Sequence, residues 1–314
     1  MTSFAATNSC DFECEAQSHP PKTSIIMKKI QYLLLAIACL FTVSCHKDIG
    51  TAKVHVSVND FAISQEEISK SSENVADYAG VKAITLAFYK ADGTEQYKTT
   101  QMRADATTYT TFGHFDLSLP MGSYTMVVLG YGLNDGEPAI TLTSPTSATF
   151  GNNPARETFA ATQAVNITNA NDDVDISATL SRVISKLKIT STDGCTENAV
   201  NVRTTLSAGG KSFNPTTGLA TANAGFSNVL PIQSAVGNPT NSITYLFLAT
   251  DEQTLNVTID VLDAGGNSIS HKVVSNVPFK RNRMTVLTGS VYSADASGDF
   301  TVETDWLDDY NMDF

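Results

Sequence analysis

The sequence predicts an all-β protein built from two β-sandwiches. Apolar and polar residues alternate over short segments rich in Val, Ile, Thr, Tyr and Phe. Clusters of Gly, Asn, Asp and Pro separate those segments, as turns require. No stretch sustains the apolar period of about 3.6 residues that a buried helix face needs.

The elements follow in order. AKVHVSVNDF (Ala52–Phe61) sets Val54, Val56 and Val58 on one face and is the candidate first strand. ISQEEISKSSENVADYA (Ile63–Ala79) is the best helix candidate and reads equally well as a polar loop. VKAITLAFYKADG closes on the turn signal Asp92-Gly93, and GSYTMVVLGYG lies between Pro120-Met121-Gly122 and Asn134-Asp135-Gly136. The run VDISATLSRVISKLKIT (Val174–Thr190) is long for one strand and reads as a junction, with Arg182, Lys186 and Lys188 alternating with Val183, Leu187 and Ile189. A boundary near Arg182–Ser185 divides the chain into two sandwiches, 45–183 and 184–314. SITYLFLAT, TLNVTIDVLDAGG, HKVVSNVPFK and MTVLTGSVYS supply the strands of the second. In the tail, GDFTVETDWLDDYNMDF, one alternate set is Phe300, Val302, Thr304 and Trp306, the last being the single tryptophan. That segment is either a final edge strand or a strand meant for another subunit.

The N-terminal region carries an export signal inside the chain. MKKIQYLLLAIACLFTVSCHKD (Met27–Asp48) has the order of a secretory leader: Lys28 and Lys29, an apolar run from Ile30 to Phe41, then small residues. The apolar run is shorter than the roughly 20 residues that span a bilayer. Its close, Thr42-Val43-Ser44-Cys45, resembles a bacterial lipobox with Thr42 in place of the usual leucine. The expected outcome is lipid on Cys45, which becomes the first mature residue; the alternative is an ordinary leader that contains a cysteine. Residues 1–44 are then an upstream extension plus signal peptide, with Met27 the expected true start. Lys47-Asp48 is a weak form of the charged signal found on surface-exported lipoproteins.

Composition narrows the partners. The chain carries 20 Lys and Arg against 32 Asp and Glu, a net charge of −12. Residues 1–44 hold three bases (Lys22, Lys28, Lys29) and three acids (Asp11, Glu13, Glu15), so their removal leaves −12 unchanged. Such an acidic chain repels nucleic acid and anionic lipid, and neither is expected as a partner. Lipid on Cys45 supplies the outer-membrane attachment instead. Cys195 then has no disulfide partner and reads as an incidental thiol.

No catalytic set, metal site or cofactor is expected. His46, His55, His114 and His271 are dispersed, with no His-x-x-x-His and no Gly-x-Ser-x-Gly. Ala208-Gly209-Gly210-Lys211 lacks the spacing of a phosphate loop. The acidic groups Asp172, Asp173, Asp175 and Asp305, Asp308, Asp309 lack the glycine and distal glutamate of a calcium loop. Cys10 and Cys14 find no second ligand pair. Lys280, Arg281 and Arg283 concentrate positive charge at a strand entry, or offer a contact to an acidic neighbour.

Several stretches together carry a family resemblance: AFYKADGT, FGHFDLSLPMGSYTMVVLGYG, RETFAATQAVNI, ISATLSRVISKLKI and VPFKRNRMTVLTGSVYS. In this order, behind a lipoprotein leader, they resemble the fimbrillin-type (type V) pilus subunits of Bacteroidetes. The nearest branch is that of FimB-like anchors and minor subunits. The resemblance implies two tandem transthyretin-like, Greek-key β-sandwiches and assembly with other pilus subunits by strand exchange. In stalk subunits of that family the first strand is cut away after an arginine, and a neighbour's terminal strand fills the groove. Here the first arginine after Cys45 is Arg103, far beyond Val54, Val56 and Val58. Only lysines lie between, Lys70 among them. A retained first strand implies a basal anchor that donates Phe300, Val302, Thr304 and Trp306. The alternatives are a stalk or tip subunit matured at an internal lysine, and a surface glycan- or peptide-binding lipoprotein. An enzyme is not expected.

Overall fold

The structure, a computed structural model, describes residues 50–63, 72–75, 77–103, 112–293 and 300–304. Its strands are β1 (Thr51–Ala62), β2 (Ser72–Asn74), β3 (Ala83–Lys90), β4 (Glu95–Met102), β5 (His114–Pro120), β6 (Gly122–Tyr131), β7 (Thr141–Ser144), β8 (Ser147–Thr149), β9 (Thr158–Ile167) and β10 (Asp173–Arg182). They continue with β11 (Ser185–Ser191), β12 (Asn201–Leu206), β13 (Ser212–Phe213), β14 (Phe226–Pro231), β15 (Asn241–Leu246), β16 (Glu252–Leu262), β17 (Ser268–Lys280), β18 (Met284–Gly289) and β19 (Thr301–Thr304). The described residues form no α-helix. The protein is all-β, with sheets packed as tandem sandwiches.

Apart from β7 and β8, the strands up to Arg182 form one large sheet, ordered β2-β1-β10-β9-β6-β3-β4, with β5 pairing β1. It curls around a core that includes Val54, Val56, Val58, Phe61, Ile84, Leu86, Phe88, Met126, Phe159 and Leu180. Apart from β13, the strands from Ser185 onward form two four-stranded sheets, β15-β11-β18-β19 and β14-β12-β16-β17. These face each other over Leu187, Ile189, Leu206, Val257, Ile259 and Leu287.

β3 and β6 depart from simple in–out alternation. Ile84, Leu86 and Phe88 enter the first core, whereas Ala83, Ala87 and Tyr89 enter a second apolar cluster on the opposite face. β6 divides likewise, with Met126 and Val128 on one side and Val127, Leu129 and Tyr131 on the other. The second cluster also takes Ile184, Phe213 and Phe247 from beyond Arg182. Phe213 and Phe247 stack with centroids 4.1 Å apart. A small sheet, β13-β8-β7, joins the chain on either side of Arg182 by pairing Phe213 with Ala148. Burial on both faces explains why β3 and β6 read as nearly continuous apolar runs.

Two parallel pairings interrupt the otherwise antiparallel pattern of the described strands. β1 lies between β5, antiparallel, and β10, parallel. β11 lies between β15, antiparallel, and β18, parallel. Each part therefore sets its opening strand beside a late one that runs in the same direction. Such neighbours need a crossover connection and leave no hairpin signal in the sequence.

Of the Ile63–Ala79 helix candidate, the described portion contains β2 and a turn at Val75, while residues 64–71 and 76 lie outside the described residues.

Candidate strand-exchange site

β1 is built into its sheet along its whole length. Val54, Val56 and Val58 are buried, and their backbones pair with Val174, Ile176 and Ala178 on one side. Val54 and Val56 pair with Leu117 and Phe115 on the other. The register slips between Val58 and Asp60, which turns Phe61 inward after the run of even-numbered valines. Phe61 lies against Gly130, where an added Cβ would come within 2.8 Å of its ring. Gly113 sits at φ +90° and accepts the Val58 amide at 2.8 Å. Burying each of these valines and Phe61 contributes roughly 1.5–3 kcal/mol. Without β1, the facing edges of β5 and β10 would lose their partner.

Arginines hold the chain that leaves β1. Arg182, at the end of β10, donates to the Ile63 carbonyl at 3.2 Å and to Tyr78 Oη at 3.1 Å. It also donates to Asn282 Oδ1 at 3.2 Å, and its Nε lies 2.8 Å from Glu157 Oε1. Tyr78 donates to the same Glu157 oxygen at 2.6 Å. Burial, with the Glu157 charge next, pushes the Tyr78 phenol far above its ordinary range. Arg103 is equally committed. Its guanidinium donates to the carbonyls of Val81 (2.7 Å), Val75 (2.8 Å) and Tyr78 (3.0 Å), and lies 4.2 Å over the Phe112 ring. The first arginine after Cys45 thus secures Val75, Tyr78 and Val81.

The C-terminal strand is held differently. β19 pairs antiparallel with β18 at the sheet edge, from Thr285–Thr304 to Thr288–Thr301. All four of its residues are exposed, Val302 at 40%. Among the described members of the expected apolar set, Phe300 alone packs inward, half-buried against Gly289, where a Cβ would approach its ring to 2.6 Å. Thr304 lies in solvent. Trp306 lies outside the described residues, as do Cys45, His46, Cys10, Cys14, Lys70, Asp305, Asp308 and Asp309.

The segment after β18 is pinned in contrast. The Asp193 carboxylate accepts the amides of Val291, Tyr292 and Ser293, each at 2.8 Å, and the Ser290 hydroxyl at 2.7 Å. Burial pushes this carboxyl up, but the Ser290 hydroxyl and those amides outweigh it and hold it below the usual carboxylate range. Ser270 donates to the Val291 carbonyl at 2.7 Å, and Tyr292 donates to Thr240 Oγ1 at 2.8 Å. Asp193 lies in TSTDGC, which the sequence shows only as a turn.

The remaining singled-out residues have local partners. His55 Nδ1 pairs with Asp116 across β1 and β5, and His114 Nδ1 lies 3.1 Å from Ser57 Oγ. His271 Nδ1 lies 2.6 Å from Asp260, which Arg203 also contacts at 2.9 Å. Lys280 pairs with Glu252 and Arg281 with Asp251 within the chain. Cys195 is buried. Among the described residues, no group of three or more His, Cys, Asp or Glu gathers to hold a metal ion. Asp172 accepts from Asn169 Nδ2 at 2.9 Å, while Asp173 and Asp175 stand opposite Lys53 and His55 on β1.

A family model described as a family of unknown function, DUF6562, matches residues 47–313. No curated protein matches the chain. Among solved structures, a candidate adhesin from Bacteroides ovatus is 10% identical, with 73% of this chain and 84% of that one covered and a TM-score of 0.49. The fimbrial anchor protein Mfa2 from Porphyromonas gingivalis is 15% identical, with 82% and 98% covered and a TM-score of 0.45. The tip fimbrial protein Mfa3 from the same organism, with C-terminal truncation, is 11% identical, with 82% and 100% covered and a TM-score of 0.38. At these identities and TM-scores none of the three carries a residue's role over to this chain.

Proposed function

The chain belongs to DUF6562, a family of unknown function, and we propose that it is a structural subunit of a cell-surface pilus, serving as its basal anchor or a minor component. It is tethered to the outer membrane through lipid on Cys45 and joins other pilus subunits by strand exchange. Residues 45–183 and 184–314 form its two sandwiches. The observation that carries this reading is the contrast between its two end strands. β1 fills its own groove and is buried on its inner face, while β19 is exposed and held by edge pairing. A subunit with a filled groove and a lightly held tail donates a strand and does not accept one. Arg103, the first arginine after the leader, is engaged with three carbonyls, which supports a reading in which no cut at arginine removes β1.

Mass spectrometry of the mature N-terminus tests this directly. Acylated Cys45 is expected. A mature chain that begins after Lys70 would have lost β1 and would be a stalk subunit. Deleting residues 300–314 should release the pilus partner from a chain that remains folded; continued co-isolation would remove the tail from the assembly.

A further inference from the structure

We propose that this chain is a force-bearing tether, in which tension applied between Thr51 and the C-terminal strand loads its main ladders in shear. The argument rests on strand direction. Two parallel strands drawn from the N-terminal end of one and the C-terminal end of the other slide along each other. All the hydrogen bonds between them then stretch together. Strands drawn apart from adjacent ends open one bond at a time.

Both parallel pairs of this chain have the first geometry. β1 begins at Thr51 and runs parallel to β10, from Lys53–Asp173 to Ala62–Ser181. The chain leaves β10 at Arg182, passes Val183 and Ile184, and enters β11. β11 runs parallel to β18, from Lys186–Met284 to Ser191–Gly289. Tension therefore enters at the start of an opening strand and leaves at the end of its parallel neighbour, twice in series. β1 and β11 are each gripped on a second side, by β5 and β15, so pulling along either strand shears two ladders. Between the clamps, the Ala148–Phe213 strand pairing and the Arg182–Asn282 hydrogen bond hold the two parts together.

The tail has the opposite geometry. β19 is antiparallel to β18, with Thr304 opposite Thr285 and Thr301 opposite Thr288. A pull from Thr304 turns the strand back on itself and peels it one pair at a time. Release then reaches Ser290–Ser293, which Asp193 and Ser270 fasten to the sandwich. Load passes from there to β18. The design yields at its last strand and resists behind it, whatever partner holds the far end.

Single-molecule force spectroscopy on the full chain tests this with two handle placements. Gly50 and Thr304 give the shear geometry. Gly50 and Met121, which is 45% exposed, place the handles at the adjacent ends of β1 and β5, where Thr51 faces Pro120. The expected result for Gly50–Thr304 is a short lengthening at low force, then a main rupture. That rupture should need several-fold more force than Gly50–Met121. Equal rupture forces in the two geometries would overturn the proposal. So would a Gly50–Thr304 trace that comes apart in low-force steps. Neither measurement involves a pilus partner, so failure here is distinct from failure of the pilus reading.

Discussion

The Arg182 guanidinium donates to the carboxamide oxygen of Asn282 at 3.2 Å, across 100 residues of sequence. Arg182 is 5% exposed and Asn282 is 1% exposed. The same cation faces Glu157 and caps the carbonyl at the end of β1. One buried charge thereby links the first strand, the end of β10 and the entry to β18.

Arg182→Met should therefore be costly. It leaves the mostly buried Glu157 carboxylate without its cation, and breaking a buried pair in this way typically costs about 3–5 kcal/mol. Urea denaturation should show that loss in a single transition, because the second apolar cluster joins both parts of the chain. Arg281→Ala, at a pair whose Asp251 partner is largely exposed, should cost about 0–1 kcal/mol.

The two end strands should respond unequally to truncation. Phe61→Ala empties a fully buried site beside Gly130 and Phe159 and should cost about 3–5 kcal/mol. Val302→Ser, on the exposed β19, should stay within about 0.5 kcal/mol. Equal losses in chemical denaturation would show that β19 belongs to the core.

Gly289→Ala should loosen the tail alone. A Cβ at Gly289 would meet the Phe300 ring at 2.6 Å, so the ring has to move. Hydrogen exchange is expected to quicken at Thr301–Thr304, while the amides of Val291, Tyr292 and Ser293, bonded to Asp193, keep their protection.

Asp193 makes part of the stability acid-sensitive. Its folded pKa is depressed, so its contribution is present above the unfolded carboxyl value and is lost as pH falls through the folded one. Asp193→Ala should cost about 1–3 kcal/mol at neutral pH through the donors it abandons. The gap between variant and parent, measured by denaturation, should narrow once pH drops below about 3.9.

His55 has the opposite sign. The hydrogen bond that its ring Nδ1–H donates to the Asp116 carboxylate raises its pKa above the ordinary histidine value, with the charges of Asp116, Asp175 and Asp173 adding to it. The attraction is present at low pH and fades as pH rises through the raised value. NMR titration should place His55 above 6.5, and Asp116→Asn should lower it.

Much of the architecture was legible in local pattern. The alternation of Val54, Val56 and Val58 marked β1, and Asp92-Gly93 marked a turn that the structure closes with Gly93 at φ +83°. Periodicity also placed a strand at Thr301–Thr304, but an apolar face does not say whether anything covers it; Phe300 is covered and Val302 is not. The parallel pairings were illegible, because a crossover leaves no short-range signature. The partners of Asp193 and of the junction residue Arg182 were illegible for a related reason. Asp193 meets its donors 97 to 100 residues away, and Arg182 meets Glu157 and Tyr78 only once β10 is in place. The histidines looked dispersed in sequence, yet cross-strand register gives His55 and His271 each an aspartate.

The pairing of Lys53 with Asp173 also bears on how the chain matures. A newly made β1 has no parallel neighbour until more than a hundred further residues have been synthesised. Contacts of such long sequence separation form slowly, after a large loss of loop entropy. Until β10 arrives, the valines of β1 are open to aggregation and to proteases. A chain of this topology should fold late, and a holding chaperone that shields its first strand should raise the yield of folded protein.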